Sequence, residues 1–259
     1  MHKFKKKFGQ NFLRDENVLD KIVDSSNIES NSLVIEIGPG DGALTSKLSK
    51  KAKYVLAYEI DLELKETLDN KFNKTNVKII YDDFLNRNVS EDIKEYDCEF
   101  VYVIANIPYY ITTPIIEHII NSKIDTKKVI LMVQKEVGER FSARPGTKDY
   151  SSITVYLNYY YNINKLFIVK RDSFYPVPNV DSIVISLERK KDEYEVKDEN
   201  TFLKLIRDSF RFKRKTIKNN LYNYDLDIVE KVLEEHNFNL SSRAEQIDIK
   251  TFIDLSNQL

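Results

Sequence analysis

Apolar residues fall along this chain in two rhythms: short, nearly continuous runs, and stripes three or four residues apart. The runs are "LVIEIG" (33–38), "YVLAYEI" (54–60), "VKIIY" (77–81), "EFVYVIA" (99–105), "VILMVQ" (129–134), "KLFIVK" (165–170) and "SIVISLE" (182–188). Each has strand length, and the first five are apolar on both faces, as strands covered on both sides are. Helical stripes separate them. Val18, Leu19, Ile22 and Val23 share one face behind Asp15, a predicted N-cap. Leu64, Leu68 and Phe72 line up on a second helix, and Ile115, Ile116, Ile119 and Ile120 on a third. Ile153, Tyr156, Leu157, Tyr160 and Tyr161 follow helical spacing, so "SSITVYLNYYYN" is read as helix although its residues favour strands. Strands alternating with helices of this length predict an open, mostly parallel α/β sheet.

After Glu188 the rhythm changes. "RKKDEYEVKDEN" is charged and reads as a linker, and beyond it only helical stripes follow. The expected division is a first domain over 1–191 and a small α-helical domain over 192–259.

Composition narrows the possibilities. Lys and Arg (40) nearly cancel Asp and Glu (41), so a nucleic-acid partner has to be met by local patches. The single cysteine, Cys98, excludes an internal disulfide framework and a cysteine zinc site; no metal is expected. The basic start "MHKFKKKFGQNFL" lacks an apolar stretch long enough for a signal peptide, and no segment approaches a membrane span. A cytoplasmic location with no membrane partner is expected.

The first strand ends in "GPGDG", with Gly38, Gly40 and Gly42 where strand gives way to helix. Glycines there permit a tight turn and close approach of backbone to a ligand. The spacing differs from the G-x-G-x-x-G dinucleotide fingerprint, and no Gly-Lys-Ser/Thr follows to cradle a triphosphate. The second run carries Glu59 near its end, 21 residues after Gly38, where an acid accepts from ribose hydroxyls. The third ends in Asp82-Asp83, and a carboxylate there can accept from an adenine amine. Helix capping is the competing explanation for such acids, above all for Asp61. Adenosine without a demand for phosphate contacts favours S-adenosylmethionine over a dinucleotide.

The fourth run ends in "NIPYYITTP". A turn could use Asn and Pro, but has no need of two phenol rings. The exocyclic amine of adenine is a poor nucleophile. The Asn106 side-chain oxygen and the Pro108 carbonyl can each accept one of its N–H bonds, and Tyr109 offers a face for a flipped base.

With these residues in view, the chain resembles the KsgA family, which dimethylates two neighbouring adenines near the 3′ end of small-subunit ribosomal RNA. The resemblance rests on "FGQNFL" (8–13), "EIGPGDGALT" (36–45), "NIPYYITTPI" (106–115), "QKEVGERFSARPGTKDYSS" (134–152), "SFYPVPNVDSIVI" (173–185), "RFKRKTIKNNL" (211–221) and "RAEQI" (243–247). It implies a Rossmann-like class I methyltransferase fold, a seven-stranded mostly parallel sheet with a small C-terminal α-helical domain. It implies that Asn11, Leu13, Gly38, Glu59, Asp83 and Asn106 contact S-adenosylmethionine. Asn106, Pro108 and Tyr109 would hold the adenine, with Phe174 on its other face. Three positions depart from the family's usual pattern. Tyr110 follows the motif tyrosine where Asn is common, Ile107 replaces Leu, and Ser151 stands where Gly is usual.

Arg207, Arg211, Lys213, Arg214, Lys215 and Lys218 form a basic run expected to contact RNA, namely 16S rRNA in the 30S subunit or its precursor. "KFKKKFGQ" (3–10) is a second basic patch, and "KEVGERFSARPGTKD" reads as a lid or an RNA contact. The expected protein is monomeric. Three other readings share parts of this pattern: a large-subunit (23S) adenine N6-methyltransferase of the macrolide-resistance type, a ribosome-assembly factor with incidental catalysis, and a protein-glutamine methyltransferase. "RKTIKNNL" and "RAEQ" argue against the first. Ile107 and the basic second domain argue against the last.

Overall fold

The computed structural model describes residues 11–190 and 194–259. Its strands are β1 (Phe12–Leu13), β2 (Ser32–Ile37), β3 (Tyr54–Tyr58), β4 (Val77–Ile80), β5 (Phe100–Asn106), β6 (Thr126–Gln134), β7 (Tyr161–Val169), β8 (Phe174–Tyr175) and β9 (Ser182–Arg189). The α-helices are α1 (Glu16–Ser26), α2 (Ala43–Leu48), α3 (Lys65–Phe72), α4 (Val89–Asp92), α5 (Thr112–Asn121), α6 (Lys135–Phe141), α7 (Ser152–Tyr160), α8 (Glu199–Ser209), α9 (Ile217–Asn220), α10 (Leu226–Glu235) and α11 (Ile249–Gln258). Among the described residues no helix is long and apolar enough to cross a membrane.

Two compact units emerge. The first runs to Gly138 and resumes over Asn164–Arg189; the second takes Glu139–Ile163 and Lys190–Leu259. The boundary expected at 191/192 lies outside the described residues. The second unit also takes in a stretch, Glu139–Ile163, that the sequence division assigns to the first domain. Tyr150 and Val155 belong to the same buried core as Phe202, Ile206, Val229 and Phe252, and that packing draws the segment in.

Seven strands form one sheet in the order β4-β3-β2-β5-β6-β9-β7. The five from β4 to β6 pair in parallel, and β9 runs antiparallel to β6, with Gln134 opposite Ser182. All seven predicted runs are strands of this sheet. Every residue of β2 is buried, its one acid Glu36 included, as in a strand covered on both faces. From β2 the chain passes to β3 and β4 on one side, then returns to β5 on the other. The order reverses between β2 and β5, and ligands of open α/β sheets bind at such a switch point, beyond the carboxyl ends of the strands.

The helices bury the faces read from the sequence. Asp15 caps α1, accepting from the Asn17 and Val18 amides, and Leu19, Ile22 and Val23 face the core. The tyrosine-rich stretch is helical only to Tyr160. Tyr161 starts β7, where β propensity and a place in the sheet outweigh the helical spacing.

Candidate active site

The loop between β2 and α2 is shaped by contacts on both sides. Gly40 has φ +59°, and a Cβ there would stand 2.7 Å from the Phe12 ring. Gly42 has φ +77°, and its Cβ would meet the Phe72 ring at 2.6 Å. Only glycine tolerates both the left-handed backbone and the crowding. From α3, Lys71 Nζ donates to the carbonyls of Asp41 (3.0 Å) and Gly42 (2.9 Å), and Arg14 pairs with the Asp41 carboxylate.

Glu59 directly follows β3 and is only 4% exposed. Its Oε2 accepts from the Gly40 amide at 3.1 Å and its Oε1 from the Asp61 amide at 2.8 Å. Burial pushes its carboxyl above the usual range, while these two amides pull it down. Sequence reasoning missed Glu36. It sits inside β2, buried, with Oε2 lacking a hydrogen-bond partner, and the residue lines the cavity described below. Burial pushes its carboxyl up to about 8. The signal was available: an acid in the middle of the apolar run "VIEIG".

β5 delivers Asn106 at its carboxyl end. The Asn106 Nδ2 donates to the Asn11 carbonyl at 3.3 Å, which leaves Oδ1 as the acceptor to offer. Ile107 is buried and its amide continues the pairing to the Met132 carbonyl at 3.3 Å. The Pro108 carbonyl accepts from the Ile111 amide at 3.2 Å; its second lone pair can take another donor. The Tyr109 hydroxyl meets the Ser182 hydroxyl at 2.8 Å, and burial raises the phenol's pKa, so the ring is neutral. Tyr110 is 60% exposed, next to the charge of Asp83.

One cavity is lined by Asn11, Leu13, Gly38, Glu59, Asn106, Pro108 and Tyr109, together with Glu36 and Ile60. Residues separated by up to ninety-eight positions thus meet at the switch point. β1 reaches it by antiparallel pairing with β8, Leu13 opposite Phe174.

Two of the residues implied by the resemblance stand apart from this lining. Asp83 is half-buried and caps the turn at Phe84–Asn86, its Oδ1 accepting from the Leu85 amide at 3.0 Å. Asp61 caps in the same way, as its sequence context predicts. Phe174 is 3% exposed and packs in the core with Leu13 and Leu19. The alternation of a strand turns its neighbour Tyr175 outward instead.

The basic run lies largely off helices. Arg207 is on α8 and Lys218 on α9, while Arg211, Lys213, Arg214 and Lys215 occupy the connection between them; all six are exposed. The N-terminal basic patch (3–10) and the "FGQ" of "FGQNFL" lie outside the described residues.

Comparison with known proteins gives a consistent answer. The profile of the family described as "Ribosomal RNA adenine dimethylase" matches residues 1–259. Proteins named "Ribosomal RNA small subunit methyltransferase A" from Bacillus mycoides and Bacillus cereus are each 44% identical over 266 residues, covering 99% of this chain and 91% of theirs. A crystal structure of a dimethyladenosine transferase from Plasmodium falciparum superposes with TM-score 0.78 at 28% identity, covering 94% of this chain and 95% of that one. The structure of the 23S rRNA methyltransferase ErmE gives 0.75 at 25% identity, covering 96% and 99%. With a seven-stranded sheet of this order, a glycine loop and an Asn-Ile-Pro-Tyr turn meeting at its switch point, and a family match over its whole length, the chain belongs to the ribosomal RNA adenine dimethylase family.

Proposed function

We propose that this protein transfers methyl groups from S-adenosylmethionine to the N6 amines of two adjacent adenines near the 3′ end of 16S rRNA, within the 30S subunit or its precursor. The observation that carries the reading is the Asn106 amide, held by the Asn11 carbonyl at the rim of the cavity that Glu59 and the glycine loop also line. The cavity's polar groups fit an adenosine carrying an amino acid. Glu59 can accept from ribose hydroxyls, a Cβ at Gly38 would meet nothing within 4 Å, and Glu36 keeps one side-chain oxygen without a hydrogen-bond partner. Asp83, beside the site, is proposed to accept from the adenine amine of the methyl donor.

S-adenosylmethionine supplies an electrophilic methyl group, so the protein's task is mainly positioning. Asn106 Oδ1 and the Pro108 carbonyl accept the two N–H bonds of the target amine and aim its lone pair at the donor. Tyr109 stacks on the flipped base. Phe174 would serve as the second face only where the cover over its ring opens, since the ring is buried. The protein is proposed to act as a monomer in the cytoplasm.

The large-subunit alternative has structural support in ErmE, but at 25% identity against 44% for the small-subunit proteins. Incubation with tritiated S-adenosylmethionine and purified 30S or 50S particles separates the two. Label in dimethyladenosine of 30S RNA is expected; label confined to 50S RNA would overturn the small-subunit reading.

A further inference from the structure

Asp83, the acceptor proposed for the adenine amine of the methyl donor, stands on a turn whose shape is set from within. Its amide donates to Asp82 Oδ1 at 2.8 Å, its own Oδ1 accepts from the Leu85 amide at 3.0 Å, and its carbonyl accepts from the Asn86 amide at 2.9 Å. Arg87 closes the segment. Its guanidinium holds Asp92 through Nε (3.1 Å) and Nη2 (2.6 Å), and Nη1 reaches Asp82 Oδ2 at 3.4 Å. These ties all lie within residues 82–92, so they give the turn its form but not its place.

The place is set from two flanks. On the β3 side, the Tyr58 hydroxyl donates to Asp92 at 3.1 Å, and the Tyr58 ring meets the buried Phe84 ring edge to face, centroids 5.2 Å apart. On the α5 side stands His118, half-buried. Its Nε2 lies 3.0 Å from the Arg87 carbonyl, and its ring meets Phe84 edge to face at 5.0 Å. A carbonyl oxygen can only accept, so Nε2 carries the proton and donates. α5 starts directly after the turn at Tyr109–Ile111. The helix that follows the residues proposed to hold the target adenine therefore also grips the turn that carries Asp83.

We infer that His118 is a positioning residue for cofactor recognition: through the Arg87 carbonyl it fixes the Asp83 turn against α5, and so sets how well the site tells an adenine amine from another purine substituent. The inference deepens the cofactor reading above and rests on it. His118 does not line the cavity, so it acts through the turn. A hydrogen bond weakens steeply with distance and angle. A turn that shifts by a fraction of an ångström keeps its fold and loses discrimination first.

Calorimetry with S-adenosylhomocysteine and with its inosine analogue tests the role. The analogue bears a carbonyl oxygen in place of the amine and offers Asp83 no donor there. The parent should prefer S-adenosylhomocysteine by about ten- to a hundredfold, the scale of a hydrogen bond to a charged group. His118→Phe keeps a ring against Phe84 and removes the donor. Its preference should fall by about five- to tenfold, through weaker binding of S-adenosylhomocysteine alone. His118→Gln removes the ring and keeps a donor, so it should retain the parent's preference. Thermal unfolding checks that each variant is folded; if His118→Phe is not, His118→Ala takes its place. Equal weakening of both ligands, or an unchanged preference in His118→Phe, overturns the role. So does a preference lost in His118→Gln but kept in His118→Phe, or a parent with no preference at all. Asp83→Ser keeps a capping oxygen and removes the carboxylate. If it retains the parent's preference while His118→Phe loses it, the amine is read elsewhere on the turn; the Asp83 reading then falls and the role of His118 stands. Label confined to 50S RNA in the transfer assay would overturn the small-subunit reading and leave these titrations to decide the inference.

Discussion

Asn106 can serve as an oriented acceptor because its own donor is engaged. With Nδ2 on the Asn11 carbonyl, the amide cannot rotate without losing that bond, and Oδ1 keeps one orientation. Asn106→Ala should cut methyl transfer by at least about a hundredfold, the scale of misplacing a reacting group. Binding to 30S particles should persist, because the basic surface belongs to other residues. A filter-binding assay beside the transfer assay checks this, and failure to bind the particle would show that recognition and chemistry share residues. Tyr109 is held in a comparable way by the buried Ser182. Ser182→Ala strands the phenol hydroxyl and should cost about 1–3 kcal/mol, whereas the double change with Tyr109→Phe removes both partners and should recover most of that. Urea unfolding of the two single variants and the double variant measures the coupling. Additive losses would mean that the two hydroxyls do not support each other.

At the scale of elements, the end of β3 and the glycine loop are one construction. Glu59 holds the Gly40 and Asp61 amides, so its carboxyl group is fixed in place at the cavity. Glu59→Ala should weaken S-adenosylmethionine binding by about ten- to a hundredfold, from roughly 1.5–3 kcal/mol of charge-assisted hydrogen bonding. Calorimetry showing the parent affinity in a folded variant would remove Glu59 from the cofactor site. Inside β2, Glu36 sets a pH dependence. Its carboxyl rises from the ordinary 4.5 to about 8 on folding, so the folded chain binds its proton more tightly. Its stabilising contribution is complete below about 4.5 and is lost as pH rises through about 8, at up to roughly 1.4 kcal/mol per pH unit. Glu36→Gln, which has no proton to lose, should melt higher than the parent at about pH 9 and lose that advantage near pH 4. Melting curves with the same offset at both pH values would mean that Glu36 does not titrate in this window.

For the whole molecule, the cavity proposed for the cofactor and the basic run draw on different units, and they should respond to different variables. The triple change Arg211, Arg214 and Lys215→Ala should weaken 30S binding and flatten its salt slope, by roughly 0.7–0.9 for each phosphate left without its cation. Affinity for free S-adenosylmethionine should not move, since its proposed contacts all lie in the first unit. Parallel binding isotherms for particle and cofactor measure both. An unaltered slope would mean that RNA lies on some other surface.

The apolar pattern alone located the seven strands; β2 is buried along its whole length and the middle of β5 is buried too, as the nearly continuous apolar runs "LVIEIG" and "EFVYVIA" imply. It also determined Asp15 as a cap, since capping is local chemistry. Gly38, Glu59 and Asn106 were legible because the switch point of such a sheet collects whatever its strand ends carry. What the sequence left open depends on partners distant along the chain. Asn106 gains its direction from Asn11, Tyr109 its anchor from Ser182, and the 211–215 connection its shape from Asn220. Tyr161 leaves its helix for the sheet, and Glu139–Ile163 join the second unit, because Tyr150 and Val155 bury their side chains there. Each of these is a packing or hydrogen-bond choice among alternatives that local propensity leaves nearly equal, and only the assembled tertiary structure supplies the neighbour that decides it.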